Sequence, residues 1–106
     1  MDHRLHYARE KFGIALNSLA TSANSLQARL QSAYMSFHPI REDDFANSEM
    51  RATYAEIIAR LTAVKDGPET NGYLRNTLDQ MSDAEAEGIA ELIYNLSMEI
   101  IDSEES

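Results

Sequence analysis

The stretch SDAEAEGIAELIYNLSMEIID, residues 82–102, decides the fold class. At about 100° per residue, Leu92, Leu96, Ile89, Ile100, Ile93, Ala86, Ser97, Ala90, Ile101 and Tyr94 fall on one continuous arc. That arc is about 200° wide, about twice what a peripheral amphipathic helix requires. Glu87, Glu91, Asn95, Met98 and Asp102 occupy the other side. The segment opens on Ser82-Asp83-Ala84-Glu85, a capping box in which serine accepts from an N–H while glutamate reaches back. Asp83, Glu85 and Glu87 also suit the positive end of the helix dipole.

Working outward from this helix, the rest of the chain repeats its periodicity. Leu5, Ala8, Phe12, Ala15, Leu16, Leu19 and Ala23 follow steps of three and four, as do Leu26, Leu30, Ala33, Tyr34 and Phe37. Between the two stripes, Thr21-Ser22-Ala23-Asn24-Ser25 is rich in side chains that compete for backbone hydrogen bonds, which predicts a break. Asn24 with Gln27 resembles a capping box that restarts the helix. One continuous helix is the alternative, because positions 5, 12, 19, 26 and 33 stay in heptad phase. Pro39 ends the second helix, and residues 38–47 form a connection with one short turn at Glu42–Phe45. A third helix, capped near Asn47 or Ser48, carries Met50, Tyr54, Ile57, Leu61 and Val64 and stops at Lys65-Asp66-Gly67-Pro68.

The expected architecture is all-α, a single domain of residues 1–106. It comprises four main helices and one short one, with antiparallel neighbours, over 3–21, 25–37, 48–64, 73–80 and 83–102. Residues 103–106 form a frayed acidic tail. With 43% apolar residues the chain can build a core, while four glycines and two prolines are too few for many short strands and tight turns. The absence of cysteine excludes disulfides, thiolate metal sites and a cysteine nucleophile.

The stretch Arg29-Leu30, Ala33-Tyr34, Phe37-His38-Pro39-Ile40, Asp44-Phe45 and the segment Thr77-Leu78, Met81-Ser82, Glu85-Ala86 resemble short uncharacterised all-helical bacterial proteins. The resemblance implies a bacterial origin and carries over no site residue. Met1-Asp2-His3-Arg4 lacks the apolar core of a signal peptide, and the uncharged stretch from Phe12 to Ala28 is too polar to span a bilayer. A cytoplasmic location without membrane association is expected.

The net charge of −9 is unevenly placed. Residues 1–41 carry five basic and two acidic side chains, whereas residues 42–106 carry four basic and sixteen acidic ones, with no lysine or arginine after Arg75. Such a balance opposes direct nucleic-acid binding, which needs cations to displace phosphate counterions. The simpler reading of the acid is a solvated, solubilising face.

Three features exceed the needs of a plain bundle. The wide arc of the last helix fits either a central position or burial against a second subunit. On the third helix Ala52, Ala55, Ala59 and Ala63 form a row of small residues, which either serves helix propensity or admits another helix. On the first helix Tyr7 and Ile14 lie opposite Leu5, Phe12 and Leu19. Together they predict a self-associating, regulatory interaction protein, a homodimer by the commonest symmetry. The contact candidates are Tyr7, Ile14, Ala55, Ala59, Tyr94, Met98 and Ile101.

Two rival classes compete. An acidic inhibitor or nucleic-acid mimic would use the carboxylates of residues 42–44 and 83–102 against a basic partner. A small metal-dependent hydrolase would use Glu99, Asp102 and Glu91, yet the pair of upstream glutamates that such helical pyrophosphohydrolases require is missing. His3, His6 and Glu10 share one helical face but suggest no fourth ligand. His38 with Arg41, Asp43 and Asp44 places an imidazole near carboxylates without a nucleophile. No cofactor or resident metal is expected.

Overall fold

The computed structural model describes residues 3–65 and 72–105, apart from the side chains of residues 3, 104 and 105. Five α-helices follow one another: α1 (His3–Thr21), α2 (Leu26–Phe37), α3 (Ser48–Leu61), α4 (Gly72–Asp79) and α5 (Asp83–Glu105), with a 3-10 turn at Glu42–Asp44 between α2 and α3. Among the described residues there is no strand.

The break between α1 and α2 lies where side-chain competition predicts it. Thr21 Oγ1 turns back onto Asn17 O at 2.7 Å and Ser22 Oγ accepts from Asn24 N. Arg29 then donates from Nη1 to Leu19 O (2.7 Å) and from Nε to Asn24 O (3.1 Å), capping the carbonyl end of α1 from the next helix. The continuous-helix alternative and the extension of the first stripe to Ala23, which is exposed, both fall here. The cap of α2 is Ser25, whose Oγ accepts from Ala28 N. Gln27 does not close a box with Asn24. Its Nε2 reaches across to Met81 O and Asp83 Oδ1, both at 3.0 Å.

Helix α3 begins at an Asn47 side chain that accepts from Glu49 N and Met50 N. It ends at Leu61, three residues short of the expected 64. Thr62 donates its hydroxyl to Ile58 O, and the Val64 N–H is taken by Thr77 Oγ1 at 2.9 Å, a tertiary bond in place of another helical turn. The expected stop signal Asp66-Gly67-Pro68 lies outside the described residues. Gly72 opens α4 with φ +71°, a left-handed conformation natural to glycine. Ser82 caps α5 by accepting from Glu85 N (3.1 Å), and its hydroxyl donates to Glu85 Oε1 (3.0 Å), so the glutamate returns to the hydroxyl. The acidic end does not fray at 103, since α5 continues to Glu105.

One buried cluster draws on every helix. Phe12, Leu30, Ile57, Leu61, Ile93, Leu96 and Ile100 are each almost wholly removed from water. Helix α5 packs against α1, α2 and α3, which explains most of its wide apolar arc as that of a central element. Ser97 sits within this arc at little cost because its hydroxyl donates to Ile93 O at 2.8 Å. Among the described residues no Cα of α2 comes within 8 Å of a Cα of α3. These two helices are joined instead by an aromatic cluster. Phe12 stacks on Phe37 (4.8 Å), and Tyr54 of α3 meets both edge-on (6.1 Å each). The Tyr54 hydroxyl is shared between the carbonyls of Phe37 and Ile40.

Burial raises the Tyr54 hydroxyl well above the ordinary tyrosine value of 10.0, with Tyr34, Asp44 and Glu42 adding to the shift. The folded state therefore keeps a proton that an unfolded tyrosine releases near pH 10. The stabilisation is complete below about pH 10 and declines as pH rises toward the folded-state value. Tyr54→Phe removes the donor from two carbonyls, and a loss of about 1–3 kcal/mol is expected in urea unfolding. The variant should also lose less stability than the wild-type protein between about pH 9 and 11.

Candidate interaction surfaces

The faces flagged by sequence separate once the helices have closed on their core. Tyr7 (40% exposed) and Ile14 (47%) lie outward on α1, opposite the buried Ala8, Phe12 and Ala15. Lys11 Nζ sits 5.4 Å from the centroid of the Tyr7 ring, a cation–π distance. This patch is thus apolar with one positive charge beside it.

The alanine row of α3 is not shielded within the protomer. Ala52, Ala59 and Ala63 are exposed and Ala55 is half-buried. Because α2 and α3 diverge, Ala55 and Ala59 form one wall of an open cleft of about 460 Å³, with Tyr34 of α2 and His38, the residue just after its end, opposite. Tyr34 stacks on His38 at 5.5 Å and 17°. The connection supplies the charged mouth through Arg41, Glu42 and Asp43. Arg41 N donates to Asp44 Oδ2 (2.9 Å), and Arg4 of α1 ties the Asp43 carbonyl at 3.1 Å.

The cleft offers concavity and aromatic surface, but its chemistry is committed elsewhere. The Tyr54 hydroxyl, which reaches its wall, already serves two backbone carbonyls. No serine, threonine or cysteine belongs to the lining residues. His38, Arg41 and Asp43 do come together here, whereas Asp44 turns away to cap the 3-10 turn.

On α5, the central position accounts for Ala86, Ile89, Ile93, Leu96, Ser97 and Ile100. It does not account for Tyr94, which is 53% exposed, nor for Met98 and Ile101, which are half-buried. Spaced i, i+4 and i+7, these three follow one another along one flank. Glu87 and Glu91 are exposed beside them.

Sequence reasoning missed two exposed residues, Met35 (59%) and Tyr73 (49%). Met35 was legible, since a turn of about 100° from Tyr34 carries it off the buried stripe of α2. Tyr73 follows the undescribed segment, and Lys65 Nζ lies 5.4 Å from its ring centroid. Sequence reasoning flagged His38 but missed that Tyr34 and His38 form a cleft wall opposite Ala55 and Ala59, because divergence of two helices leaves no trace in the periodicity of either.

The proposed hydrolase residues do not assemble. Glu91 and Asp102 are exposed and Glu99 is half-buried along one helix. Among the described residues no group of three or more histidines, aspartates or glutamates is placed to hold a metal ion. His6 is exposed, and the side chain of His3 lies outside the described ones. No helix among the described residues is long and apolar enough to cross a membrane.

Surface and core positions of α3 should respond differently to substitution. Ala59→Leu is expected to change unfolding free energy by no more than about 0.5 kcal/mol. Ile57→Ala, two residues away in the core, should cost about 2–5 kcal/mol in the same denaturant titration. Comparison with protein-family models, with curated proteins and with solved structures yields no match.

Proposed function

We propose that the protein is a small helical interaction module that self-associates as a homodimer. The observation that carries this reading is the exposure of Tyr7, Ile14 and Tyr94 after five helices have closed around one buried cluster. A protomer that already buries Phe12, Phe37 and Ile93 has no internal use for these side chains. Covering them in an interface removes apolar area from water at about 25 cal/mol per Å². Tyr7, Ile14, Ala55, Ala59, Tyr94, Met98 and Ile101 are the contact residues of this reading.

A standard interface takes about 800 Å² from each partner, about an eighth of the 6385 Å² surface. The frame that presents these faces is, on the same reading, a bundle with antiparallel neighbours. Support comes from the Arg29–Leu19 bond, which ties the start of α2 to the end of α1, and from the Arg4–Asp43 bond, which ties the start of α1 to the 3-10 turn that follows α2. Further support is the approach of Arg60, near the end of α3, to Gly88, near the start of α5.

Light scattering coupled to size exclusion at tens of micromolar tests the proposal. The expected mass is that of two chains, and Tyr7→Glu combined with Ile14→Glu should reduce it to one chain while the circular dichroism stays helical. A wild-type mass of one chain overturns self-association.

A further inference from the structure

Two surface features are complementary in shape and in charge. The first is convex. Tyr7, Lys11 and Ile14 stand at i, i+4 and i+7 on the outward face of α1, with Tyr7 and Ile14 exposed. Lys11 holds its ammonium 5.4 Å from the centroid of the Tyr7 ring, so ring and charge project as one unit. The second is concave. The open cleft between α2 and α3 has an aromatic wall, Tyr34 and His38, and a wall of small side chains, Ala55 and Ala59. Its volume of about 460 Å³ lies within the range of sites that enclose a small molecule, more than one tyrosine ring needs.

Charge runs in the same sense. Within about 60° of Tyr7 on the α1 face stand Arg4, Lys11 and Glu10, two cations to one carboxylate. The cleft mouth reverses that balance, with exposed Glu42 and Asp43 beside Arg41. Position adds a third match. Arg4 donates to the Asp43 carbonyl at 3.1 Å, so within one protomer the projection starts beside the cleft mouth. A projection and a cleft side by side can be exchanged with a second copy about a two-fold axis, and the contact then closes on itself. On opposite sides of the protomer they would instead propagate a filament.

We infer that Tyr7 of one copy, with Lys11 beside it, inserts into the α2–α3 cleft of a second copy, which returns the same contact. The inference rests on the homodimer reading and specifies which surface meets which. The Tyr7 ring lies between the aromatic wall and the alanine wall, whose small side chains admit α1 close to the backbone of α3. The Lys11 ammonium meets Glu42 and Asp43 at the mouth, and Ile14 extends the apolar contact two turns along α1. Copies meeting α1 to α1 would cover the same projection but set Lys11 against Lys11 and leave the cleft unfilled.

The test uses the full chain in two charge-reversed forms, Lys11→Glu and the pair Glu42→Lys with Asp43→Lys. All three positions are at least partly exposed, so both forms are expected to keep the wild-type circular dichroism and melting temperature. Light scattering over a dilution series should show each form dimerising about tenfold or more weakly than the wild-type protein, because both exchanged contacts then carry like charges. Mixed in equal amounts, the two forms should dimerise with nearly the wild-type affinity. In that mixed dimer one contact is wild type and the other is reversed on both sides, so neither is repulsive. Tyr7→Ala, which changes no charge, should weaken the dimer several-fold.

Restoration in the mixture supports the exchange, since a second chain cannot repair a contact made within one protomer. A wild-type mass of one chain overturns self-association and the exchange with it. A wild-type dimer that any of the folded variants leaves unweakened, or that the mixture fails to restore, overturns the exchange alone and leaves the homodimer standing.

Discussion

The structure turns on the Tyr54 side chain. Helices α2 and α3 each lie on α5, yet their backbones do not approach one another. Tyr54 closes that gap with its ring against Phe12, Phe37 and Phe45 and its hydroxyl on the carbonyls of Phe37 and Ile40. Those carbonyls belong to the last residue of α2 and to the connection just beyond it, where helical acceptors run out of intrahelical donors. A single phenol thus supplies aromatic packing to the core and a donor to the chain reversal. Burial makes the neutral hydroxyl the stable form, and the two acceptors need that proton.

A junction held by one side chain leaves room beside it. The same divergence that makes Tyr54 necessary opens the cleft between Ala55 and Ala59 on one side and Tyr34 and His38 on the other. Small residues on α3 do not draw α2 close in this fold. They leave the cleft wide, and the alanine row remains at the surface. The large side chains instead gather on α5, whose isoleucines and leucines face three helices at once.

Charge is distributed unevenly along the sequence, with the basic residues concentrated in the first half and the acidic ones in the second. The basic residues of the first half are drawn into local work, such as the Arg29 cap on α1 and the Arg4 tie to the 3-10 turn. Glu87 and Glu91 of α5 are exposed on a flank that also exposes Tyr94. An apolar strip within a field of one sign selects partners by charge before contact and by shape after it.

Periodicity and capping residues by themselves determined that the chain is helical, where its helices begin to within one residue, and most of the buried stripe of α1, α2, α3 and α5. These are local properties, set by the turn of the helix and by the competition of serine, threonine and asparagine for nearby backbone. Termini set by distant groups were not legible. Gln27 leaves its own helix for Met81, and the Val64 N–H is taken by Thr77. The sequence also could not apportion the wide arc of α5 between core and surface, because Ile93 and Tyr94 stand next to each other on one helix. Only the tertiary structure decided that Ile93 is enclosed and Tyr94 is not, since enclosure depends on how many neighbours arrive and at what angle.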